Sequence, residues 1–410
     1  MDPNVASFFT QDILPLFWKS AFLWAPIGLG VIAWLLWIRY VNHEYMESLE
    51  WDLLEVKIPR DVMRSPAAME MVLLALLQTG GTGTFIDRWW KGQLRAWFSL
   101  EIVSVEGNVY FFIRTQSKFR FAIESQIYAQ YPSAEISEVD DYVKYTEKYI
   151  ATNQWSMFGV EWKLSKEDAY PIKTYVDYGL DKANVDVEEK IDPLSGVIEM
   201  MGSLGKGEQL WVQILVQATQ DRFEKEGTFV KKQNWVKEAD KLIEKLIKEK
   251  GSKIVGEEKK EERDLAKMTK LEKDVLEAVE RSTTKPGFDV GIRTMYLSPK
   301  DYFRPPIIQA LLGMFRQFNT PHLNGFKIGS ATGISYPWEG WGNKVENMKE
   351  DMFEAYMERG WFYRPNRRDP FVLNTEELAT IFHFPGRAIE TPTFERVEST
   401  KAEPPANLPM

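Results

Sequence analysis

The chain has 410 residues, 44% of them apolar, a formal net charge of -9 and no cysteine. The absent thiols exclude a disulfide framework, a thiolate nucleophile and a cysteine-ligated metal, and the acidic balance argues against broad contact with a nucleic-acid backbone. The length allows two or three domains built on ordinary apolar cores.

Residues 1–19 form a short flank with Asp2 and Asp12. From Ser20 to Ile38, SAFLWAPIGLGVIAWLLWI carries no charge over the length that a helix needs to cross a bilayer. Trp18 before it, and Trp37 and Tyr40 at its end, stand where aromatic rings favour the headgroup level. The acidic start and the missing small-residue cleavage site favour a retained anchor over a removed signal. The bland alternative is a buried helix of a soluble protein. Lys19 is opposed by Arg39, Lys57 and Arg60, and this bias places the bulk of the chain in the cytoplasm. Residues 39–50 are a juxtamembrane linker in which Asn42 to Leu49 reads as a polar exit helix or a linker.

Residues 51–145 read as a first α+β unit. Trp51 to Ile58 alternates as a strand before Pro59. Ser65 and Pro66 cap a helix in which Met71, Leu74, Ala75 and Gln78 fall at helical spacing, and the near-continuous apolar run to Leu77 points to burial on most sides. Gly80, Gly81 and Gly83 open a loop that carries Trp89 and Trp90. Trp97 to Val105 and Val109 to Thr115 form a hairpin around Glu106, Gly107 and Asn108. A helix from Lys118 to Gln130 and a strand from Ala134 to Val139 complete the order strand, helix, strand, strand, helix, strand, the split βαβ pattern of a ferredoxin-like unit.

Residues 146–330 repeat that order as a second ferredoxin-like unit. Its strands are expected at Tyr170 to Asp177, Gln209 to Gln217, Phe288 to Leu297 and Gly325 to Ile328, with helices at Pro193 to Ser203 and Pro306 to Phe318. An insertion at 221–284, rich in Lys and Glu, has helical spacing at Leu242, Leu246, Leu271, Val275 and Val279. It reads either as a projecting helical pair that binds a neighbouring subunit or as a solvated hairpin held by charge pairs. Residues 331–384 form a C-terminal helical segment, with a helix from Lys344 to Arg359 stopped near Gly360 and a capping box of Asn374 and Glu377 before a short helix. Residues 385–410 are a Pro-rich tail.

No motif carries chemistry. Gly202 to Gly207 superficially resembles a phosphate loop, but Lys206 is followed by Gly207 and Glu208 where the loop needs Ser or Thr, so a helix-to-strand turn is the better account. His43, His322 and His383 have no metal-ligand spacing. Asp140 and Asp141 read as the solvated end of a strand. No catalytic, cofactor-binding or metal residues are assigned, and no cofactor is expected. Tyr110, Phe112 and Arg114 form one face of the hairpin, an interaction surface that suits either base stacking or packing on a second layer.

The phrases KIPRDVMRSPAAMEMVL, WFSLEIVSVEGNVYFFIR, IESQIYAQYP, VLNTEELATIFHFPG and RVESTKAEPPANLP resemble the membrane-anchored N-terminal region of bacterial type IV secretion or conjugation-type ATPases, a region classed as a domain of unknown function. The resemblance implies a Walker-containing motor supplied by a separate polypeptide, or a truncated relative of such an ATPase. It therefore implies a noncatalytic membrane-tethered scaffold that docks a cytoplasmic ATPase, with the lipid bilayer as a partner, a possible homo-oligomer, and nucleic acid engaged only indirectly. The alternatives are a membrane-anchored single-strand-binding adaptor and a membrane-bound enzyme with an unrecognised site.

Overall fold

A computed structural model of the chain describes residues 21–59, 64–77, 83–146, 154–181, 192–219, 222–223, 232–233, 235–251, 268–333 and 344–385. The flank 1–19, the glycines at 80 and 81, the centre of the insertion and the tail from 386 lie outside the described residues. The chain divides into one unit from Met1–Glu50 and Gly80–Arg95 and another from Trp51–Thr79 and Ala96–Met410.

In the first unit, helix α1 covers Ala21–Glu47, so of the two readings of the juxtamembrane segment the exit helix holds, as a continuation of the same helix. Pro26 is accommodated inside it.

The second unit is built on β1 (Trp51–Lys57), α2 (Ala67–Leu77), and, after the first unit's short helix α3 (Phe85–Trp89), β2 (Phe98–Val105), β3 (Asn108–Gln116), α4 (Arg120–Gln130) and β4 (Glu135–Glu138). There follow β5 (Trp155–Leu164), α5 (Ser195–Gly202), β6 (Gln209–Ala218), the two-residue pair β7 (Arg222–Phe223) and β8 (Lys232–Gln233), α6 (Trp235–Gly251), α7 (Lys270–Thr283) and β9 (Gly287–Pro299). The last elements are α8 (Pro305–Gly313), β10 (Phe326–Ala331), α9 (Lys344–Met357), β11 (Phe371–Asn374) and α10 (Thr375–Ile381). The class is α+β, as the alternation of short strands and helices implies.

One antiparallel sheet runs β10-β5-β9-β6-β2-β3-β1-β4, with β11 paired to β9. The strand order in each half, fourth-first-third-second, is the same. The halves meet where β2 pairs with β6, from Phe98 opposite Val216 to Val105 opposite Gln209. The expected boundary near residue 145 therefore separates two halves of a single sheet. The hairpin turn sits at Glu106 and Gly107, both at positive φ (53° and 86°), the backbone that matches the twist of the flanking strands.

Helices α2, α4, α5, α8 and α10 cover one face, burying Leu100, Ile102, Phe111, Val212, Ile214, Val290 and Ile292. Leu53, Val103, Phe112, Trp211, Met295 and Leu297 point to the other face, closed by Phe353 and Tyr356 of α9. Helix α2 is covered on most sides, as its apolar run implies: Met69, Val72, Leu73 and Leu76 are buried, while Met71 of the expected spacing is exposed.

The strand expected at Tyr170 to Asp177 is absent, and β5 takes its place. The 170s segment satisfies its backbone with a mixture of partners instead of a ladder: Ile172 N–H donates to Glu377 Oε1 (2.8 Å), Tyr175 N–H to Thr380 Oγ1 (3.0 Å) and Lys173 N–H to the Phe318 carbonyl (3.2 Å). β5 escaped detection because Gly159 and Glu161 interrupt its apolar run. Gly159 makes room for the Met352 side chain, whose Sδ would lie 2.3 Å from a Cβ there.

The insertion helices do not project freely. Ala239, Leu242 and Val279 close on each other and on Ala169 and Tyr170, as the amphipathic spacing demands.

At Gly291 of β9, a Cβ would stand 2.1 Å from Cδ2 of the buried Trp361 ring. Gly291→Ala is expected to lose about 1–3 kcal/mol through overpacking, read as a lowered thermal midpoint of the full chain in detergent.

Candidate functional site

Three features qualify: the apolar helix of the first unit, the hairpin face, and a buried polar row across the sheet. Helix α1 holds the sole window among the described residues that is long and apolar enough to cross a membrane, and 6% of that window is buried inside the protein. Ile27, Leu29, Val31, Ile32, Leu35 and Leu36 are each more than half exposed. A soluble protein would bury such a surface, and contiguous exposed apolar area of this kind marks a membrane or partner contact.

The hairpin residues are largely covered. Phe112 is 7% exposed and stacks on Tyr142 at a ring separation of 5.3 Å, with Tyr110 at 6.0 Å on the same face. Arg114 lies over the Trp51 ring at 4.8 Å; burial and the nearby Arg359 charge lower its pKa to about 10. These contacts put Phe112 in the layer between the sheet and α9, the packing role that the aromatics also suited.

The most organised chemistry was missed by sequence reasoning. Glu161, Arg293, Gln213, Glu101 and Phe112 stand directly opposite one another on β5, β9, β6, β2 and β3. This row crosses the junction between the halves on the face that α9 covers. Arg293 Nη1 donates to Gln213 Oε1 (2.9 Å), and Gln213 Nε2 donates to the Tyr356 carbonyl (3.1 Å). Glu101 accepts from Ser99 Oγ (2.6 Å), Tyr142 Oη (2.8 Å) and Arg359 Nε (2.9 Å).

Arg359 is the hub. Its guanidinium reaches Glu101 on one side and Asp141 on the other, at 2.6 Å from Nη1 to Oδ2. Asp141, expected to be solvated, has a side chain only 19% exposed and is part of this network. Burial pushes both carboxyls up, but the Arg359 charge and hydrogen bonds outweigh it, and both end below the usual range. Arg359 has φ 51°, the left-handed conformation. Its N–H donates to the Tyr356 carbonyl and the Gly360 N–H to the Ala355 carbonyl, the Schellman pattern. Gly360 was the expected stop, yet the arginine occupies the left-handed position, with its side chain in the row. Such a network fixes one arrangement of elements, and it offers no open cleft for a substrate.

The glycine turn after α5 is closed to phosphate. Gly205 N–H donates to Glu208 Oε2 (2.6 Å) and Gly207 N–H to Glu106 Oε1 (2.8 Å), so both amides already face carboxylates. Glu208 is itself held by Arg304 and Tyr296. His43 lies near Glu47 (3.6 Å), and buried His383 bonds Asp192 (3.0 Å). Among the described residues, no group of three or more His, Asp or Glu side chains is placed to hold a metal. A groove of about 510 Å³ lies between the insertion helices and the sheet body, lined by Tyr170, Leu246, Met268, Leu271, Val275 and His322 among others.

The capping box of α10 is present: Asn374 Oδ1 accepts from Glu377 N–H, and Glu377 Oε2 accepts from Asn374 N–H. Full burial raises the Glu377 carboxyl to about 8, against the pull of two backbone N–H groups toward the charged form. A folded pKa raised above its unfolded value of 4.5 means that this group's contribution to stability falls as pH rises from that value to about 8. Glu377→Gln is expected to abolish that slope, on the order of 5 kcal/mol across the window, at the cost of about 1 kcal/mol for one lost capping bond. Chemical denaturation at several pH values checks it.

A family model described as "Domain of unknown function (DUF8128)" matches residues 42–396. No curated protein matches the chain.

Proposed function

The chain belongs to the DUF8128 family of domains of unknown function, and from that premise we propose that it is a noncatalytic, membrane-tethered scaffold whose bulk lies in the cytoplasm. The observation that supports it is the exposed apolar surface of α1, which suits a helix solvated by lipid. The sheet body suits a platform. Its two halves repeat one strand order and are read here as ferredoxin-like units joined edge to edge, which removes one exposed edge from each. Its buried polar row favours a single rigid arrangement over a reactive cleft.

The partner in this reading is a separate cytoplasmic ATPase of a secretion or conjugation apparatus. That part rests on the sequence resemblance alone. Nucleic acid is engaged through the motor, and self-association remains compatible with the scaffold role.

Alkaline carbonate extraction of membranes from cells making the full chain tests the tether. Retention in the pellet supports it, and release into the supernatant overturns it. A photo-crosslinker at Pro404 in native membranes tests the partner, since capture of a Walker-containing protein is expected. Capture of no ATPase would remove that partner while leaving the tether intact. Nucleotide or peptide turnover by the purified chain would overturn the noncatalytic reading.

A further inference from the structure

The segment expected to be a glycine loop carrying Trp89 and Trp90 is instead an ordered arm on the end of α1. Thr84 and Asp87 form a reciprocal capping box for α3, with Thr84 N–H donating to Asp87 Oδ2 at 2.8 Å. The Trp34 ring lies 5.7 Å from both Trp89 and Trp90, and Trp37 lies 6.1 Å from Trp90. Trp37 Nε1–H donates to the Trp89 carbonyl at 3.1 Å. Gly92 makes the approach possible: at φ 64°, a Cβ would stand 2.2 Å from the Val41 carbonyl oxygen.

The arm is thereby fixed at the level of Trp34 to Val41, where the uncharged stretch gives way to Arg39 and the polar end of the helix. At that level it exposes Phe85 (70%), Ile86 (58%) and Trp90 (55%). Asp87 pairs with Lys91 at 2.7 Å on its polar side. Three large apolar side chains held open by a capped helix are unfavourable in water. Trp90 packs on Trp34 and Trp37 and Phe85 on Trp89, so they adjoin the exposed apolar surface of α1, and the solvent of that helix, lipid in the spanning reading, is their occupant. Indole and phenyl rings prefer the boundary between headgroups and acyl chains, and a short helix with one apolar side lies flat there.

We propose that the arm from Thr84 to Gly92 is an interfacial membrane anchor, with Phe85, Ile86 and Trp90 inserted at the headgroup boundary where α1 leaves the bilayer. It fixes the depth of the helix and resists its rotation and piston motion. This inference rests on α1 spanning the membrane.

The absence of cysteine allows single reporter sites in the full chain. The variants Ile86→Cys, Phe85→Cys, Leu29→Cys and Ser48→Cys each carry an environment-sensitive fluorophore in vesicles of phosphatidylcholine and phosphatidylglycerol. The lipids bear a nitroxide at a shallow or a deep acyl position. Ser48 lies about 16 Å along the helix beyond Trp37, on the water side. Labels at 85 and 86 should be quenched at least twofold more by the shallow nitroxide than by the deep one. The label at 29 should show the reverse order, and the label at 48 should be quenched by neither. If 29 is quenched while 85 and 86 behave like 48, the arm is not in lipid and this inference falls alone. Self-quenching between labelled copies at 86 without quenching by lipid also overturns it, in favour of a chain–chain contact. If 29 is unquenched as well, the spanning reading fails and the inference falls with it.

Discussion

Replacing Arg359 with methionine is expected to lower the stability of the sheet body by about 3–5 kcal/mol, because it leaves the Glu101 and Asp141 carboxylates buried without their cation. The thermal midpoint should fall by roughly 10 °C. Much of the loss is expected to return in the triple variant with Glu101→Gln and Asp141→Asn, since the neutral groups no longer need the cation, whereas a merely misfolded Arg359→Met chain would not be rescued. The pH dependence supplies an independent check. Both carboxyls have folded pKa values below their unfolded ones, so in the parent chain their contribution is present above the ordinary carboxyl range and is lost as pH falls through the lowered folded values. Without Arg359, burial is opposed only by the weaker remaining groups, Ser99 and Tyr142 at Glu101 and the Val143 N–H and Arg114 at Asp141, and the sign is expected to reverse: mild acidification should stabilise the variant. Unchanged acid sensitivity in the variant would show that the Arg359 hub does not set the charge state of the row.

The paired substitution Leu29→Arg with Ile32→Arg is expected to release the chain from membranes. Both residues lie near the middle of the exposed apolar stretch of α1. A charge at the centre of a spanning helix costs about 2.5–3.5 kcal/mol on insertion scales, so the pair costs about 6 kcal/mol, a shift of roughly 10⁴ in the insertion equilibrium. Fractionation after alkaline carbonate reads the result directly. Full retention of the double variant would mean that α1 is not what holds the chain to lipid. Thermal unfolding of the released chain should match the parent, because the sheet body has its own core.

The buried row shows where a sequence gives warning without giving an answer. Glu101 in FSLEIVSV, Gln213 in QLWVQILVQA, Arg293 in GFDVGIRTMYL and Glu161 in WSMFGVEWKL each interrupt an apolar strand. A charge inside a buried strand needs a partner close at hand, so each position was a legible demand. Which groups meet those demands depends on strand order. The residues that answer one another come from four strands, and Arg359 follows a helix 258 positions after Glu101 in the chain. Asp141 was misjudged for the same reason. Its neighbours in sequence are polar, while its neighbour in space is a buried guanidinium.

The amino-acid order by itself determined the uncharged helix near the start, the Glu106–Gly107 hairpin, the Asn374–Glu377 capping box and most elements with a clean hydrophobic period. These depend on interactions within a few residues, and local sterics, capping and solvation preference suffice to specify them. Tertiary structure decided that the two halves share one sheet through β2 and β6, that Ile172 and Tyr175 bond side chains of α10 where a strand was expected, and that the Trp89–Trp90 segment folds onto α1. Each of those outcomes is a choice of long-range partner, and a backbone amide or an indole ring has the same sequence whichever partner it finds.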